Sequence, residues 1–137
     1  MQTMRTFRTS KSRKEDLEFE VSFLTGLVRR APDYVEALKL LARDLTRLGR
    51  YEEALKVDEQ LAKLLPADPV VHYNLACSYS LTHNYVQAFE ALEKAIDLGY
   101  SNFKWLRRDP DLKNLRTHSK FKLIKEKIRK IRSKQIR

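Results

Sequence analysis

The 137-residue chain is poor in residues that interrupt helices, with three Gly and four Pro. Three scattered glycines cannot build a glycine-rich phosphate loop. One cysteine, Cys77, excludes an internal disulfide framework and fits a reducing, cytoplasmic location. No stretch approaches the roughly eighteen apolar residues that a membrane span needs, and no apolar run follows the first basic residues as a secretory signal would. The three histidines, His72, His83 and His118, lie away from Cys or carboxylates at metal-ligand spacing. Cys77 has no neighbouring base to activate it as a nucleophile. No catalytic residue, metal or cofactor is therefore expected, and the chain reads as a non-enzyme.

What the chain does hold is 42% apolar and 34% charged residues, a balance that leans towards long helices and suffices for one core. Its net charge of +10 is unevenly spread. Residues 1–14 carry five Lys or Arg and no acid, and residues 113–137 carry eleven bases and one acid, Glu126. Between them, residues 15–112 hold twelve bases against seventeen acids. The middle is acidic, and the positive excess sits at the two ends.

Shifted by 34 residues, the sequence falls on itself. Gly49 meets His83, Tyr51 meets Tyr85, Ala54 meets Ala88, Leu41-Ala42 meets Leu75-Ala76, and Leu45 meets Tyr79; one step back, Pro66 meets Pro32 and Leu61 meets Leu27. Small residues recur where two helices must cross closely, at Ala42, Ala54, Ala76 and Ala88, with Leu38, Leu41, Leu45, Leu75 and Tyr79 filling between them. Gly49 marks a left-handed helix end, Tyr51 and Tyr85 open second helices, and Pro66 closes a unit. Helices are expected near 14–30, 34–48, 51–64, 69–82, 85–98, 101–108, 110–116 and 119–133. Asp33 with Glu36 reads as a capping box, and Asp68-Pro69 as a cap followed by proline at the first helical position. Asp109-Pro110 repeats that start signal and cuts short the first helix of a third unit. Phe121, Ile124, Ile128 and Ile131 make one apolar stripe on a closing helix.

These residues, Leu38, Leu41-Ala42, Leu45, Gly49, Tyr51, Ala54 and Pro66, then Leu75-Ala76, Tyr79, Tyr85, Ala88 and Ala95, resemble the tetratricopeptide repeat. Asp58, His72 and His83 depart from its usual residue types. The resemblance implies an all-α fold, a right-handed superhelix of antiparallel helix pairs forming an α-α solenoid with C-terminal capping helices. Its domains would be a basic flexible arm at 1–13, one repeat domain at 14–132, and a basic tail at 133–137. Within that domain lie a half unit at 14–34, repeats at 35–68 and 69–102, and capping helices at 103–132.

The resemblance also implies a concave, peptide-binding groove lined by the first helix of each unit. Carried over residue by residue, its positions include Lys39, Arg43 and Arg47 in the first unit, Tyr73, Asn74 and Cys77 in the second, and Lys104 and Arg108 in the broken third. Five or six cations against one acid, on an acidic scaffold, point to an acidic or carboxylate-ending peptide of another protein. Lys39, Arg43, Asn74, Lys104 and Arg108 also occupy the five positions by which carboxylate-clamp repeat domains hold chaperone C-termini, with Arg43 standing for an Asn. A clamp and a more general peptide groove both remain open at this point.

The competing reading is an accessory protein whose basic ends meet nucleic acid or an anionic surface. The closing helix has basic residues around its apolar stripe but, beyond Phe121, no aromatic for base stacking. A monomer is expected, with self-association through an exposed solenoid end as the alternative.

Overall fold

The computed structural model describes residues 10–136, with side chains described for 13–135. The described residues form eight α-helices and one 3-10 turn, with no strand. The helices are α1 (Ser10–Arg30), α2 (Val35–Arg47), α3 (Tyr51–Leu64), α4 (Pro69–Leu81), α5 (Tyr85–Asp97), α6 (Phe103–Leu106), α7 (Lys113–Arg116) and α8 (Phe121–Ile136), and the 3-10 turn Pro110–Leu112 precedes α7. Adjacent helices pack in the manner of a tetratricopeptide-like helical solenoid. None of them is long and apolar enough to cross a membrane.

Two compact units divide the chain, residues 1–64 and residues 65–137. In the first, α2 packs against both α1 and α3. Val21 and Leu24 of α1 meet Ala37, Leu41 and Leu45 of α2 and Ala54 of α3, with Leu27, Val28, Leu48 and Val57 closing the rim. Each fully buried Leu contributes about 1.5–3 kcal/mol, and the alanines let the backbones come close enough for that burial.

In the second unit α4 pairs with α5 and also packs on the 3-10 turn. Asp68 caps α4, accepting hydrogen bonds from the backbone N–H of Val70 at 2.9 Å and Val71 at 3.2 Å. A ring nitrogen of His72 lies 2.9 Å from the carbonyl oxygen of Pro66, which gives this buried polar residue a partner where the repeat more often carries an apolar one. Past α5, the cap buries Phe103, Leu106, Leu112, Leu115, Phe121, Ile124 and Ile128. An ion pair of 2.7 Å between Lys127 and Asp97 links α8 to α5.

The turns explain the repeat frame. After α2, the Gly49 N–H donates to Thr46 and the Arg50 N–H to Leu45, with Gly49 at φ 76°. After α4, the His83 N–H donates to Ser80 and the Asn84 N–H to Tyr79, with His83 at φ 63°. Both are Schellman ends whose C′ residue must be left-handed. His83 occupies the glycine position in glycine's conformation.

Three local expectations change. Asp33 and Glu36 make no capping box: Tyr34 takes the cap position, and no side chain bonds the helix start. A turn closed by the Tyr34 N–H on the Ala31 carbonyl holds Pro32 and Asp33 in its middle, so Asp33 falls one residue early. Helix α1 starts at Ser10, so residues 10–13 of the expected arm are helical, and the rest of that arm lies outside the described residues. Helix α8 runs to Ile136, because no Gly or Pro follows Ile131 to stop it; Arg137 lies outside the described residues.

Candidate functional site

In the first unit, α2 buries Ala37, Leu38, Leu41, Ala42, Asp44 and Leu45, and so turns Lys39, Arg43 and Arg47 outward. Four-residue spacing sets these three cations along one exposed face. Among the described residues Lys39 makes no ion pair. Arg43 is engaged: its Nη2 lies 3.6 Å from Glu20 of α1, and its Nε donates to Asp44 Oδ1 at 3.4 Å.

Asp44 is fully buried, and its Oδ2 has no hydrogen-bond partner among the described residues. Glu20 can hydrogen-bond Asp44 only when it carries a proton. That bond raises the Glu20 carboxyl above its ordinary value, with burial and the charge of Asp44 adding to it and Arg43 and Arg47 opposing. The repeat frame did carry one signal for this acid: Glu20 lies 34 residues before Ala54, so an acid stands where later units place a small crossing residue.

In the second unit the expected residues separate into two groups. Tyr73 and Cys77 are buried, whereas Asn74, Lys104 and Arg108 are exposed, as is Arg107. Asp109 decides this division. It caps the 3-10 turn through Oδ1, which accepts from the Asp111 N–H at 3.0 Å. Its Oδ2 accepts from the Tyr73 hydroxyl at 2.6 Å and from Cys77 Sγ at 3.6 Å. Arg116 donates to the carbonyl oxygens of Asp109 and Leu106 at 2.7 and 3.0 Å, fixing the turn from the far side. The Tyr73 ring stacks on Tyr100 with centroids 4.1 Å apart.

Tyr73 and Cys77 therefore serve as an internal fastening, and the exposed residues of this surface are Asn74 on α4 with Lys104, Arg107 and Arg108 on and just after α6. Burial first, then Cys77 and Asp109, push the Tyr73 hydroxyl far above its usual value, so it stays a proton donor. Burial and Asp109 also raise Asp111. Cys77, Asp109 and Asp111 bring one donor atom each within 4.8 Å of one another. Both Asp109 oxygens already accept hydrogen bonds, which accounts for the cluster without an ion. Sequence reasoning missed Asp109 as a partner of Tyr73, because the two are 36 residues apart across the break in the repeat frame.

Residues 35–76 match the tetratricopeptide-repeat family. Those residues carry a tetratricopeptide repeat. Over 76 residues this repeat chain is 42% identical to a protein of Arabidopsis thaliana whose name describes it as chloroplastic, a match covering 53% of the chain and 23% of that relative. It thus spans under a quarter of the relative's length. The tetratricopeptide repeat is generally a non-catalytic module for protein–protein interaction.

Proposed function

We propose that the chain is an interaction adaptor that takes an acidic or carboxylate-ending peptide segment of another protein on the cationic faces of its first helices. The observation that carries this reading is that Lys39 in one unit, and Lys104, Arg107 and Arg108 in the other, are exposed and make no ion pair among the described residues. They do so in a stretch, 15–112, where acids outnumber bases seventeen to twelve. Cations left free of available acids suit charge-assisted hydrogen bonds to a carboxylate ligand. Asn74 adds a neutral donor and acceptor on α4.

The test is fluorescence anisotropy on the full chain, with a labelled acidic peptide carrying either a free or an amidated C-terminus. Lys39→Ala, Asn74→Ala, Lys104→Ala and Arg108→Ala should each weaken binding by about three- to tenfold, while Lys56→Ala should not. A larger loss on amidation identifies the terminal carboxylate as the anchor. Unchanged binding in all four variants overturns the proposal.

A second reading has its own observation: Lys122, Lys125, Lys130 and Lys134 are exposed on α8, where the ion pairs are Lys127–Asp97 and Arg129–Glu126. If charge-neutral changes at Lys125, Lys127, Arg129 and Lys130 abolish RNA or anionic-vesicle binding while the peptide is not bound, that reading replaces the first. For location, the cytoplasm expected from the composition competes with the plastid in the relative's name. A fluorescent fusion of the full chain separates the two.

A further inference from the structure

Trp105 is the chain's one tryptophan, and it is 43% exposed on the short helix α6. The 34-residue frame aligns it with Ala37 of α2 and Val71 of α4, which are 3% and 4% exposed. The repeat buries this position twice and opens it the third time. The next position stays in the core throughout, since Leu38, His72 and Leu106 are all buried. In α6 the residue buried with Leu106 is Phe103, and the larger indole is turned out.

The backbone that carries the indole is fixed. The Trp105 N–H donates to the Asn102 side-chain oxygen at 3.2 Å. Its carbonyl accepts from the N–H groups of Arg108 and Asp109 at 2.8 and 2.7 Å. A ring held on such a turn loses little backbone freedom when a ligand covers it.

Its neighbours give the chemistry of that ligand. Lys104 and Arg108 are exposed and make no ion pair among the described residues. Arg107 keeps the helical conformation and carries the spiral on to Arg108. Four residues apart, the two cations therefore share the side away from Phe103 and Leu106, and Trp105 flanks them. An exposed ring beside unpaired cations suits a ligand that is itself both apolar and anionic. The rise of 1.5 Å per residue sets the cations about 6 Å apart. Residues i and i+2 of an extended peptide are about 6–7 Å apart and point to one side, with residue i+1 to the other.

We infer that the second unit selects an acidic–apolar–acidic segment of another protein. Lys104 and Arg108 take the two carboxylates, and Trp105 takes the large apolar side chain between them. This preference rests on the peptide reading of the cationic faces and adds the apolar residue to it.

The test uses the full chain and labelled peptides of equal charge, with a Glu-Leu-Glu, a Glu-Ser-Glu or a permuted Leu-Glu-Glu core. In fluorescence anisotropy Glu-Leu-Glu should bind about five- to twentyfold tighter than Glu-Ser-Glu, and tighter than the permuted core. It should also move Trp105 emission to shorter wavelength. Trp105→Ala should bring the leucine-to-serine ratio within about twofold of one, and Trp105→Phe should restore part of it, with circular dichroism checking the fold of both. A wild-type ratio near one, a ratio that persists in Trp105→Ala, or equal binding of the permuted core overturns the inference. If Lys104→Ala still weakens the serine peptide in that case, the peptide reading stands without it. If no peptide binds, both fall. Emission that shifts with single-stranded oligouridylate and with none of the peptides assigns the indole to base stacking, which also overturns the inference.

Discussion

Asp44 in the first unit and Asp109 in the second are both buried carboxylates, and they are satisfied to very different degrees. Asp109 is held by the Tyr73 hydroxyl, Cys77 and the Asp111 N–H, with Arg116 fixing the carbonyl of the same residue. Asp44 has the Arg43 guanidinium on one oxygen, no hydrogen-bond partner for the other among the described residues, and a second acid, Glu20, beside it. A buried charge stabilises a fold to the extent that its oxygens are occupied. The same side chain is therefore a fastening in one unit and a strained contact in the other.

The sharpest way to break this contrast is to neutralise each acid in turn. Asp109→Asn removes the charge that the Tyr73 hydroxyl addresses and should cost about 2–3 kcal/mol in urea denaturation, and Asp109→Ala, which also deletes the cap, about 3–4 kcal/mol. Asp44→Asn should cost less than about 1 kcal/mol, because the new amide can donate to ionised Glu20. Equal losses at the two positions would erase the comparison.

Tyr73→Phe isolates the hydroxyl. The ring stack on Tyr100 is kept and the 2.6 Å bond to Asp109 is lost. The expected cost is about 1.5–2.5 kcal/mol, the range for a buried bond to a charged acceptor. A cost below about 0.5 kcal/mol would mean that Asp109 holds the turn through Asp111 alone.

These two residues also show where reading the sequence ends. The helices, the Asp68 cap, the glycine-like turn at His83 and the shortened third unit are local or periodic, so spacing exposes them. Whether Tyr73 faces solvent or core depends on what a residue 36 positions later brings to it, and the repeat stops repeating between the two. The groove positions carried over from intact units left Tyr73 and Cys77 open, and the broken third unit covers them with Asp109. Lys39, Asn74, Lys104 and Arg108 needed no such partner, and they are exposed. Glu20 was legible only as an acid in an alanine's place, and its contact with Asp44 required α1 to be set against α2.

Glu20→Gln sharpens the comparison from the first unit. The folded-state value of Glu20 is raised, so its favourable contribution is complete below the ordinary carboxylate range and is lost as pH rises through the raised value. Above that raised value the ionised group opposes Asp44. Glutamine removes that repulsion and keeps a donor towards the Asp44 carboxylate. With the Glu20 side chain 44% exposed, solvent screening limits the gain to about 0.5 kcal/mol. Thermal melts should show wild type and variant converging at pH 4, below the ordinary carboxylate range, and separating as the pH rises through the raised value, with the variant the more stable. A gap that widens on acidification instead would reverse the sign assigned to this pair.

The smallest effect tests the turns that close α2 and α4. Both need a left-handed residue, supplied by Gly49 at φ 76° and His83 at φ 63°. A non-glycine residue there carries about 1 kcal/mol of backbone strain or more. His83→Gly relieves it, but glycine also loses more chain entropy on folding, which returns about 0.5–1 kcal/mol. It further deletes the 2.8 Å contact between His83 Nδ1 and the Tyr85 hydroxyl, which is exposed and contributes little. The net expectation is a gain of no more than about 0.5 kcal/mol. Gly49→Ala meets no steric obstacle at the added Cβ and so reports the backbone cost alone, at about 1 kcal/mol. If His83→Gly instead destabilises by as much as Gly49→Ala, the histidine–tyrosine contact is holding the second turn, and α4 ends by side-chain chemistry where α2 ends by backbone freedom.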